Sequence, residues 1–127
     1  DNNFILESKK HKEVPLAIET MDAGIFFLEP FYSKVASAPT KLGEFLAMGI
    51  PCVTSKNIGD VESILDEGNC GVVLSSFDDE HVEKCVKELV NLSLDLEVKQ
   101  RCRNTAKKYF SLKEGVSKYS EIYKSLC

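Results

Sequence analysis

Apolar positions along the chain fall into two alternating kinds of run. Short unbroken runs rich in β-formers occur at 3–7 (NFILE), 24–29 (GIFFLE), 51–54 (PCVT) and 71–74 (GVVL). Such runs are the pattern of buried parallel strands. Between them lie segments with helical spacing. Residues 14–22 (VPLAIETMD) predict a short helix, with Pro15 tolerated in its first turn. A second helix starts near Pro39 and stops at Gly49, with proline inside the start and glycine past the end. A third, VESILDEG, follows Asp60 as its cap and is ended by Gly68. PFYSKVASA reads as an irregular loop and KNIGD as a turn.

Beyond Leu74 the pattern is helical throughout. In 78–92, Val82, Val86, Leu89 and Val90 keep the spacing of one buried face. A further helix covers 95–109, and the last carries Leu112, Val116, Tyr119, Tyr123 and Leu126 at helical intervals. Strands alternating with helices predict an α/β domain, a Rossmann-like open parallel sheet with flanking helices. In such sheets ligands bind at the carboxyl ends of the strands, which points to the loops after Leu28, Thr54 and Leu74.

Composition narrows the possibilities. A chain of 127 residues suffices for one domain with a real core. A net charge of −4 argues against nucleic acid as a partner. No apolar run approaches the ~20 residues of a membrane span. The polar start, DNNFILESKKHKEV, has no signal-peptide character and no initiator methionine, so the chain is expected to be processed or cut from something longer. The five cysteines form no Cys-x-x-Cys pair and lie far from a zinc pattern. They predict reduced thiols in a cytoplasmic protein, with Cys52 and Cys70 as small buried hydrophobes. His11 and His81 read as surface residues, and Lys9, Lys10 and Lys12 as a solvated face. Tyr109, Phe110, Tyr119 and Tyr123 read as packing residues. No residue is assigned a catalytic role, and no metal or cofactor is called for.

The stretch APTKLGEFLAMGIPCV (38–53) carries the candidate chemistry. The first N–H groups of a helix starting near Pro39 lack intrahelical partners, and the macrodipole adds partial positive charge there. That end suits a phosphate, with Thr40 and Lys41 adding a hydroxyl and a cation. Glu44 lies about one turn further on, where a carboxylate accepts hydrogen bonds from two adjacent ribose hydroxyls. The plainer reading makes Glu44 a solvent-facing residue paired with Lys41.

PTKLGEFLAMGIPCVTS, followed by GDVESIL and GNCGVVL, resembles the nucleotide-sugar-binding domain of GT-B glycosyltransferases of the GT4 type. EVPLAIETMDAGIFFLEP and AKKYFSLKEGVSKYSEIYKSL are similar to the segments on either side, so the likeness spans residues 1–127 as one partial C-terminal domain. It implies retaining transfer of a sugar from a nucleotide diphosphate sugar to an acceptor. Glu44 falls on the glutamate that holds the ribose, while Thr40 and Lys41 fall where the diphosphate or donor sugar is held. In many relatives another glutamate stands eight residues earlier, at the position of Ala36 here. Sugar recognition then passes to Ser37, Lys34 and Lys41. The resemblance also implies two further strands and an acceptor-binding domain that this sequence lacks, so the isolated chain is expected to be inactive. A non-catalytic nucleotide- or partner-binding module on the same scaffold is the alternative. Without those strands, NFILE either pairs with GIFFL, detaches, or leaves an open edge for a homo-oligomer to cover.

Overall fold

Gly24–Phe26 (β1), Cys52–Ser55 (β2) and Gly71–Leu74 (β3) form a parallel sheet in the order β1-β2-β3. Cys52 lies opposite Gly24 on one side and Gly71 on the other. The structure is a computed structural model and describes residues 3–29 and 31–126. Its helices are Val14–Glu19 (α1), Thr40–Met48 (α2), Val61–Gly68 (α3), Asp79–Leu94 (α4), Val98–Phe110 (α5) and Leu112–Leu126 (α6). The predicted open α/β sheet with flanking helices is therefore present.

Alternation along the strands builds two cores. On one face, Cys52 packs with Leu42 and Leu46 of α2, Ile64 and Leu65 of α3, and Val98, Cys102 and Ala106 of α5. On the other, Val53 and Leu74 meet Cys85 and Leu89 of α4. All four residues of β2 are buried, as a central strand covered on both faces requires. Cys52, Cys70, Cys85 and Cys102 are buried free thiols. Burial pushes the Cys52 thiol far above its usual range, which suits packing rather than nucleophilic chemistry. Among the described residues, no helix is long and apolar enough to cross a membrane.

Several expectations need correction. NFILE is not a strand: residues 4–10 have no regular structure, and Phe4, Ile5 and Leu6 are almost fully exposed. Of the outcomes open to it, detachment is the one observed, because no strand pairs with the outer edge of β1 among the described residues. GIFFLE pairs only through Phe26. Beyond it the Ser55 hydroxyl takes over, donating to the Leu28 carbonyl at 2.8 Å and accepting from the Leu28 N–H at 3.2 Å. Asp60 occupies the N-cap position of α3, but its side chain caps nothing; the Ser63 hydroxyl instead donates to the Asp60 carbonyl. Gly68 ends inside α3, and Asn69 at φ 42° supplies the left-handed cap.

The helix faces also shift. On α4, Leu89 is buried as predicted and Cys85 joins it, while Val82, Val86 and Val90 stay exposed. At the start of α4, Asp78 accepts from the His81 backbone N–H at 3.0 Å. Hydrogen bonds from Ser76 and His81 hold the Asp78 carboxyl well below the usual carboxylate range. The apolar stripe of α6, including Tyr119 and Tyr123, is wholly exposed. That stripe finds no surface to pack on among the described residues.

Candidate functional site

The loop between β1 and α2 contains one turn of 3₁₀ helix, Tyr32–Lys34, then turns at Val35 and Ala36 and passes through Ser37 to an extended Pro39. A turn from the far end of β2 holds it in place. Gly59 has φ +44°, and a side-chain carbon there would sit 2.2 Å from the Ser37 carbonyl oxygen. Its N–H donates to the Val35 carbonyl at 2.9 Å. Only glycine permits both the left-handed backbone and the close approach. The loops after β1 and β2 are thereby locked together at the carboxyl ends of the strands, where the open-sheet rule places a ligand.

Pro39 is the N-cap of α2, and no side chain caps that end. The first-turn N–H groups of α2 therefore face outward without a side-chain partner. At the other end, Gly49 at φ 82° closes the helix, its N–H and that of Ile50 reaching the Leu46 and Phe45 carbonyls. This is the predicted proline-start, glycine-stop helix, with Pro39 one place outside it.

Helix α5 runs antiparallel over α2. A side-chain carbon on Gly43 would lie 3.0 Å from the Phe110 ring, and one on Gly49 would lie 3.3 Å from the Lys99 carbonyl. Such close approach of two helices explains the small residue at Gly43. The pair frames an open cavity of ≈ 660 Å³, lined on α2 by Thr40, Glu44 and Ala47 and on α5 by Arg103, Lys107 and Phe110. A second cavity of ≈ 370 Å³ lies on the other side of Phe110, with Ser37, Pro39, Gly59 and Asp60 in its wall.

The predicted residues divide accordingly. Thr40 and Glu44 share the larger cavity, Ser37 lines the smaller one, and Lys41 is exposed and lines neither. The backbone of Lys34 ends the 3₁₀ turn, while its side chain lies outside the described residues. Ala36 is exposed beside Ser37 in the second cavity. Glu44 makes no ion pair with Lys41 or with any other cation among the described residues, so the simple surface-pair reading has no contact to support it. Asp60, freed from capping, joins Ser37 in the second cavity.

Sequence reading missed Arg103, Lys107 and Phe110 as cavity residues. Their spacing of four and three along α5 marks one helix face, but only the packing of α5 on α2 turns that face toward Glu44.

An open parallel sheet with flanking helices, a helix start without a side-chain cap and a carboxylate one turn further on make this an α/β domain of the Rossmann-like kind. The family model described as "Glycosyl transferases group 1" matches residues 1–109, and the chain belongs to that family. No curated protein and no solved structure shows a significant match.

Proposed function

We propose that this chain is the donor-binding portion of a retaining glycosyltransferase, the later part of a GT-B C-terminal domain of the GT4 type. Its ligand is a nucleotide diphosphate sugar, in a cytoplasmic enzyme. The observation that carries the reading is the shared cavity: Glu44 and Thr40 lie on one face of a helix whose N-terminus is bare. A carboxylate with no ion pair among the described residues accepts from a vicinal diol, while uncapped N–H groups and a hydroxyl donate to phosphate. In this reading Glu44 holds the ribose. Thr40 and the first-turn backbone hold the diphosphate, with Lys41 and Lys34 as rim cations. Ser37, across the Phe110 partition, faces the donor sugar.

Chemistry needs a second wall. Transfer depends on positioning the acceptor and excluding water, and both observed cavities are open. The isolated chain therefore binds donor without turnover, and a separate acceptor-binding domain completes the site. The edge of β1 that no strand pairs with among the described residues adjoins an apolar groove lined by Ile25, Phe27, Phe77, Val82 and Val86. An edge of this kind favours self-association of the isolated chain.

The reading is tested with uridine and guanosine diphosphates by calorimetry. Glu44→Ala is expected to weaken the nucleotide that binds by ~2–3 kcal/mol. Unchanged affinity returns Glu44 to the surface. One feature favours the binding-module alternative: Ala36 stands where many relatives carry a glutamate that touches the donor sugar. Transfer by a parent polypeptide containing this sequence decides against that alternative.

A further inference from the structure

We propose that in the isolated chain the outer edge of β1 is covered by residues 3–7 of a second copy, added as a parallel strand. The inference rests on the self-association stated above and names the segment that covers the edge.

Edge and segment are matching halves. The Gly24 N–H donates to the Pro51 carbonyl at 2.9 Å, toward β2, so the N–H and carbonyl of Ile25 face the outer side. Beside them lies a groove of ≈ 320 Å³ whose lining is wholly apolar. It is open to solvent: Ile25 is 63% exposed, Phe77 61% and Val86 53%. The segment NFILE has an apolar centre of strand-forming residues but no regular structure, and Phe4, Ile5 and Leu6 are each at least 84% exposed. Along a strand Phe4 and Leu6 point to one face, two residues apart as Ile25 and Phe27 are. A strand laid on the edge therefore sets Phe4 and Leu6 into the groove.

The chain's own segment lies elsewhere. Ile5, Glu7, Ser8 and Lys9 share a cavity with Leu16, Ala17 and Thr20, and the Lys10 N–H donates to Glu13 Oε2 at 2.9 Å. Helix α1 packs against α2, on the face of the sheet opposite the groove. With one segment and one edge on each chain, reciprocal exchange closes a two-fold dimer.

Charge sets the direction. The segment is followed by Lys9, Lys10 and Lys12, and α4 opens with Asp78, Asp79 and Glu80. Lys9 pairs with Glu7, whereas Lys10, Lys12, Asp79 and Glu80 are in no ion pair among the described residues. The Phe27 ring meets Phe77 with centroids 5.2 Å apart, so the acidic turn stands at the carboxyl end of β1. A parallel strand brings its lysines to that end. An antiparallel strand would carry them to the opposite end of the sheet.

Sedimentation equilibrium of the chain at several concentrations tests this, with Phe4→Ser/Leu6→Ser as the first variant. Both side chains are exposed and outside regular structure, so the fold of each copy is not at stake. The wild type is expected to dimerise, and the double variant to do so at least about tenfold more weakly. Lys10→Glu/Lys12→Glu is expected to weaken the dimer about threefold, and Asp79→Lys/Glu80→Lys added to it to restore most of that loss. A wild-type dimer that Phe4→Ser/Leu6→Ser leaves unchanged overturns this proposal and leaves self-association standing. Charge reversals that fail to restore the dimer overturn the parallel docking. A monomer at every concentration overturns both the proposal and the self-association.

Discussion

Helices α5 and α6 follow one another with only Ser111 between them, and both are amphipathic, yet they end in opposite situations. The buried residues of α5 are modest in size: Val98, Cys102, Thr105 and Ala106. The stripe of α6 is built from larger side chains, Leu112, Val116, Tyr119, Tyr123 and Leu126, and none of them is buried. Size and periodicity state what a helix face is able to bury. Whether it does so depends on the surface opposite, and α5 has α2 and α3 beneath it. The small residues of α5 are a consequence of that closeness, since Gly43 and Gly68 bring neighbouring backbones within reach of its side chains.

Core truncation sharpens the contrast most. Leu46→Ala, in the fully buried face of α2 beneath α5, is expected to cost about 3 kcal/mol through lost burial and a residual cavity. Val116→Ala on α6 is expected to stay within about 0.5 kcal/mol. Urea unfolding of the two variants measures both. A large loss for Val116→Ala indicates that α6 is docked in solution and breaks the comparison.

A glycine of α3 packed against α5 and a glycine within α6 respond to substitution with opposite signs. A side-chain carbon on Gly68 would fall 2.3 Å from the Thr105 hydroxyl oxygen of α5 and 2.8 Å from the Cys70 sulfur. Gly68→Ala is therefore expected to destabilise by about 1–3 kcal/mol through overpacking. On α6 a carbon added to Gly115 meets nothing within 4 Å outside its own helix. Gly115→Ala is expected to stabilise by about 0.5–1 kcal/mol, the helix-propensity gain alone. Thermal unfolding of both variants gives the signs. Two changes of the same sign contradict the account of how α5 is seated.

The same contrast explains what was legible in the sequence. Segments whose partners are local in the α/β pattern came through well: GVVL is β3 residue for residue, and the Pro39–Gly49 helix differs by one place at its start. NFILE failed as a strand because a strand is a relation to a neighbour, and β1 has none on that side among the described residues. On α4 the predicted stripe held only at Leu89, which meets the sheet together with Cys85, while Val82 and Val86 line the open groove beside β1. Helix-end chemistry and resemblance singled out Glu44 and Thr40, which line one cavity with Lys107. Lys107 was not legible, since its relation to Glu44 exists only through the antiparallel docking of α5, and no spacing between residues 44 and 107 encodes that.

The most direct test of the central claim asks whether Glu44 reads a ribose. Isothermal titration compares the nucleoside diphosphate that binds with its 2′,3′-dideoxy analogue, on the wild type and on Glu44→Ala. The account predicts that the wild type prefers the diol-bearing ligand by about 2–3 kcal/mol, the worth of two charge-assisted hydrogen bonds, and that Glu44→Ala binds the two ligands equally. A preference for the diol that survives intact in Glu44→Ala contradicts it.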